Sequence, residues 1–153
     1  MKRKATIYLD TSVPGAFLDP VGSPTYEATK IFWERVIPLY EVYISDLVEI
    51  EIADLKESQK RKILEDLVRN FGILPMSEDA AEVAQEYLKL LRIPERDALH
   101  IAIASVEGMD YLVTWNMRHV ARERTRRAVD YVNLILRLKR LVIYTPLDFI
   151  EEV

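Results

Sequence analysis

Apolar residues gather along this chain in two kinds of run. Five runs are short and continuous: ATIYLD (5–10), EVYIS (41–45), FGILP (71–75), DYLVTW (110–115) and RLVIYT (140–145). Continuity, rather than alternation, is the pattern of strands covered on both faces. Longer stretches place apolar residues three and four apart, the period of a helix with one buried face, and predict helices over 24–37, 46–57, 58–70, 77–92, 94–107 and 121–138. Ser77 followed by Glu78 and Asp79 reads as an N-cap with an acidic first turn, and Pro94 suits the first turn of the next helix. Strands alternating with helices predict an α/β sandwich with a parallel sheet. LDPVGSP (18–24) is the one notable loop.

Composition narrows the picture. With 153 residues, 50% hydrophobic and 30% charged, the chain reads as a single soluble domain, 1–153. No apolar run approaches the roughly 20 residues of a membrane span. MKRKATIYLD has too few apolar residues before Asp10 for a signal peptide, so a cytoplasmic location is expected. The absence of cysteine excludes thiolate zinc sites, Fe–S clusters and cysteine nucleophiles, leaving oxygen or histidine for any metal. A net charge of −4 means that nucleic-acid binding would need a local basic patch.

Three carboxylates interrupt apolar patterns. Asp10 ends the first strand run, at the carboxyl edge where parallel sheets bind ligands. Glu51 shares a predicted helix face with Leu47, Val48 and Leu55, while Glu49 falls on the solvated side. Asp97 shares its face with Ile93, Pro94, Ile101 and Ala104. Singly, Asp10 could cap a turn, Glu51 could sit at a rim and Asp97 could serve the helix dipole. Together at one sheet edge, beside LVTWN, they form an oxygen donor set suited to Mg²⁺ or Mn²⁺ rather than zinc.

YLDTS, ISDLVEIEI, RDALHIAIA and YLVTWN, in that order and spacing, resemble the PIN-domain ribonucleases, in particular a VapC-like group with a Thr-Trp-Asn fourth motif and a closing Thr-Pro with a short helix. The similarity runs from about Ile7 to YTPLDFI. It implies a three-layer α/β/α sandwich around a central parallel five-stranded sheet. It also implies a Mg²⁺- or Mn²⁺-dependent endoribonuclease, commonly the toxin of a type II toxin–antitoxin pair, with a cognate antitoxin as partner. By position Asp10, Glu51 and Asp97 are the metal ligands. Where the family often carries a fourth acid, this chain has Asn116 and His119. Asn116 can accept from a metal-bound water or coordinate through its carbonyl, without adding charge.

Hydrolysis of a phosphodiester needs a neutralised phosphate and an activated water, which divalent ions held by carboxylates supply. Asp10, Glu51, Asp97 and Asn116 are therefore the expected catalytic residues. Thr11, Ser12 and Thr114 could orient water or phosphate, or cap the backbone. His100, three residues after Asp97, could bond that carboxylate or sit against the core. His119 could transfer protons or lie on the surface. Arg118, Arg122, Arg124, Arg126 and Arg127 could pair with RNA phosphates or form a solvated face with Glu123. Tyr26, Phe32, Trp33, Tyr40 and Tyr43 fit core or dimer packing, and a homodimer is expected. A receiver-like module would need a Lys after the last strand, where YTPLD stands; a haloacid-dehalogenase-type phosphatase would need an Asp where Ser12 stands. A non-cleaving PIN-like RNA- or protein-binding module and a solitary RNA-processing nuclease remain as alternatives.

Overall fold

The computed structural model describes residues 3–150. Five strands, β1 (Thr6–Leu9), β2 (Glu41–Ser45), β3 (Gly72–Leu74), β4 (Tyr111–Val113) and β5 (Val142–Tyr144), form one sheet in the order β3-β2-β1-β4-β5, every neighbouring pair parallel. Each lies inside one of the five continuous apolar runs. β1 is central and wholly buried, which explains why TIYL contains no charge.

Helices flank the sheet: α1 (Ser12–Gly15), α2 (Pro24–Ile31), α3 (Asp46–Ala53), α4 (Ser58–Val68), α5 (Glu78–Leu88), α6 (Glu95–Val106), α7 (Glu123–Ile135) and α8 (Pro146–Ile150). Strand alternation assigns the faces. Ile7 is paired with Tyr111, and Tyr111 packs on Phe149 of α8, so α8 covers that side. Tyr8 points the opposite way and meets His100 of α6. α2 packs with α8, and α5 with α6 and α7. No described helix is long and apolar enough to cross a membrane.

Ends of helices follow local chemistry. Ser23, Ser45 and Ser77 each accept a backbone N–H of the helix they precede, from Tyr26, Val48 and Ala80 respectively. Pro94 occupies the extended cap position, one residue before the helical turn expected for it, because ψ of 143° precedes the helical region. The helix predicted over 24–37 is regular only to Ile31; a π turn over Phe32–Val36 and a 3₁₀ turn over Ile37–Leu39 complete it. Pro38 lacks the N–H that would continue an α-helical ladder. The short α1, directly after Asp10, has no apolar periodicity of its own to announce it.

Candidate active site

The carboxyl ends of the two central strands lie side by side, with Leu9 paired to Val113, so Asp10 and Thr114 follow them as neighbours. Thr114 Oγ1 donates to Asp10 Oδ2 at 2.5 Å. Ser12 donates to Asp10 Oδ1 twice, through its amide at 3.1 Å and its hydroxyl at 2.5 Å. Ser12 Oγ in turn accepts the Trp115 amide at 2.9 Å. Asp10 is only 5% exposed and, among the described residues, forms no ion pair. Burial raises its pKa; the neighbouring His100 and the bonds from Ser12 and Thr114 offset this only in part.

Glu51 approaches from α3. Its Oε1 accepts from Thr11 Oγ1 at 2.6 Å and lies 2.6 Å from His100 Nε2, while Oε2 lies 3.3 Å from Arg96 Nε. Burial works to raise the Glu51 pKa, but His100, Thr11 and Arg96 together outweigh it and the net shift is downward. Behind the imidazole, Nδ1 is 2.6 Å from the Tyr8 hydroxyl, which is 2.8 Å from Ser45 Oγ. His100 thus reaches the carboxylate of α3 rather than Asp97, the neighbour on its own helix. Asp97, half-buried in the first turn of α6, has no side-chain hydrogen bond or ion pair among the described residues.

The fourth motif divides its labour. Thr114 binds Asp10. Trp115 donates its ring N–H to Thr29 of α2 at 2.8 Å, fixing that helix to the site strand. Asn116 Oδ1 accepts the His119 amide at 3.0 Å and closes the following turn. His119 Nδ1 is buried without a hydrogen-bond partner among the described residues.

The arginine run is split. Arg122 bonds Thr125 Oγ1, Arg126 bonds the Ile143 carbonyl and Arg127 pairs with Glu123. Arg118 and Arg124 are exposed and unpaired among the described residues. The sequence pattern does not mark Tyr8, Ser45 or Arg96 as site residues. Tyr8 was hidden as one more apolar-run residue, and Arg96 as one more charge beside Asp97.

Among the described residues, no three carboxylate or imidazole groups are gathered, as the side chains stand, to hold a metal ion. The chemistry of the donor set nonetheless fits a hard divalent cation. It comprises carboxylate oxygens only, one of them buried with no cationic partner and another with no partner at all. A groove of about 680 Å³ between α3, α4 and β3 contains none of these three acids; its lining mixes Ile44, Ile50, Val68 and Ile73 with Asp46, Glu49, Glu65 and Arg69.

The model of the PIN domain family matches residues 7–132. Among solved structures, the chain is similar to VapBC2 of Rickettsia felis bound to a promoter DNA fragment (17% identity, TM-score 0.56, covering 92% of this chain and 98% of that one). It is also similar to the Mycobacterium tuberculosis toxin VapC20, described as cleaving the sarcin–ricin loop (18%, 0.57, 76% and 98%). A third is VapBC-5 of the same organism (18%, 0.53, 92% and 98%). At these identities the likeness is one of fold. No curated protein matches the chain.

Proposed function

The chain belongs to the PIN-domain family, and from that premise we propose that it is a divalent-metal-dependent endoribonuclease, the toxin of a type II toxin–antitoxin pair. The observation that carries this reading is Asp10, a buried carboxylate at the end of the central strand whose described partners are hydroxyl and amide groups and include no ion pair. A buried carboxylate without a counter-ion costs several kcal/mol, and a bound cation removes that cost. Similarity in fold to VapC toxins, some solved with their antitoxins, supports the toxin class and an antitoxin partner.

Asp10, Glu51 and Asp97 would hold Mg²⁺ or Mn²⁺. When bound, the ion supplies charge neutralisation on the scissile phosphate and lowers the pKa of attacking water. The chain's own residues prepare the place. Ser12 and Thr114 fix both oxygens of Asp10, and Thr11 and His100 fix one oxygen of Glu51. Asn116 acts at the turn behind Thr114. Exposed Arg118 and Arg124 contact RNA phosphates beyond the strand end.

The decisive experiment compares Asp10→Asn, Glu51→Gln and Asp97→Asn with wild type in Mn²⁺-dependent cleavage of RNA, with circular dichroism as the folding control. Loss of cleavage in each folded variant is expected; full activity in any one removes that residue from the site. Millimolar Mn²⁺ raises the melting temperature of wild type if the ion binds the folded state, and an unchanged melting temperature counts against a metal site.

A further inference from the structure

Glu51 is held on one side only. Oε1 takes both Thr11 Oγ1 and His100 Nε2, each at 2.6 Å, and Oε2 meets only the exposed guanidinium of Arg96. Behind His100 runs a line of buried groups, from Tyr8 OH to Ser45 Oγ to the Val48 amide. His100 is 4% exposed, and Tyr8 and Ser45 have no exposed surface.

The direction of the protons follows from the inventory of donors. An ionised Glu51 can only accept, so His100 Nε2 carries hydrogen. The Val48 amide can only donate, so Ser45 Oγ accepts from it. With a neutral ring, Tyr8 donates to Nδ1 and Ser45 donates to Tyr8, and every proton in the line has one acceptor. Reversing the line would have Nδ1 donate to Tyr8 and Tyr8 donate to Ser45. The Ser45 hydroxyl proton would then be left, fully buried, with no acceptor among the described residues, an arrangement that folded proteins avoid.

We infer that His100 is a positioning residue for Glu51, locked by Tyr8 and Ser45 in the Nε2–H tautomer so that it anchors Oε1 and leaves Oε2 as the oxygen presented to a divalent cation. The inference rests on the reading of Glu51 as a cation ligand. Through this line the first strand, the end of the second strand and α6 jointly set the orientation of one carboxylate on α3. Groups that orient a ligand in this way typically change metal affinity by 10- to 100-fold when removed.

Tyr8→Phe tests it, because the ring and the Ser45 cap of α3 remain while the bond to Nδ1 is lost. Only two histidines are present, so long-range ¹H–¹⁵N spectra of the metal-free protein resolve the His100 tautomer directly. Wild type shows Nε2–H alone, and Tyr8→Phe loses that single state. By calorimetry at a temperature where both proteins are folded, Tyr8→Phe binds Mn²⁺ about tenfold more weakly than wild type. His100→Gln, which keeps a donor near the Nε2 position, retains more affinity than His100→Leu. An Nδ1–H tautomer in wild type overturns the inference, as does a Tyr8→Phe protein whose Mn²⁺ affinity equals that of wild type. A wild type that binds no Mn²⁺ overturns the reading of Glu51 itself, and this inference with it.

Discussion

Thr114 and Asp10, 104 residues apart in sequence, share a 2.5 Å hydrogen bond at the ends of adjacent strands. The Thr114 hydroxyl also accepts the Asn116 amide at 2.9 Å, so one buried oxygen ties the acid to the following turn. Thr114→Val keeps the shape and removes both bonds, leaving a buried carboxylate oxygen short of a donor. A loss of about 1–3 kcal/mol in urea unfolding is expected; a change within error would mean that Ser12 alone satisfies Asp10.

Arg96 covers the free oxygen of Glu51, with 60% of its side chain exposed. Exposed ion pairs contribute at most about 1 kcal/mol, so Arg96 is a counter-ion that a divalent ion can displace. Arg96→Ala is therefore expected to tighten Mn²⁺ binding by up to about fivefold, read by calorimetry. Unchanged affinity would show that the guanidinium does not compete for this oxygen.

At the opposite edge of the sheet, Asp110 accepts from the Thr6 amide and hydroxyl and pairs with Lys139 at 2.5 Å. Partial burial would raise its pKa, but the ammonium and the Thr6 bonds outweigh it, and the net shift is downward. An acid whose folded pKa is depressed contributes stability above its unfolded pKa and loses it as pH falls through the folded value. Asp110→Asn should thus be less stable than wild type at neutral pH. The gap should close as pH drops below the ordinary value of 3.8. A gap independent of pH would assign the effect to shape rather than charge.

In the arginine run, only Arg118 and Arg124 are unpaired among the described residues. Replacing both by Ala is expected to flatten the salt dependence of RNA binding by roughly 0.7 in log–log slope per lost phosphate contact. Arg122→Ala and Arg126→Ala, which break bonds to Thr125 and the Ile143 carbonyl, should instead lower the melting temperature. The reverse pattern would place the RNA contact on the tied residues.

The sheet was legible because burial on both faces leaves a one-dimensional trace: ATIYLD, EVYIS and their fellows contain the observed strands. Asp10 was legible as a charge ending such a run. The bond from His100 to Glu51 was not, because sequence spacing reports neighbours on one helix, and this contact joins two helices across 49 residues. Tyr8 shows the same limit from the other side. Its ring counts as apolar in a strand pattern, while its hydroxyl joins the polar line beneath the site. The break in the helix after Ile31 also escaped the pattern, since the apolar spacing continues through a π turn much as through an α turn.

The central position of β1 has a consequence in time. Its second flank is filled by β4, so the Thr114 bond to Asp10 cannot form until more than 100 further residues have been made. At roughly 5–20 residues per second, that is a delay of about 5–20 s on the ribosome. During that interval Asp10 and Glu51 already exist as side chains, but half of the pairing that seats Asp10 does not. Until β4 has been made and has docked beside β1, the pocket around Asp10 stays half built, whatever the earlier elements have already folded into.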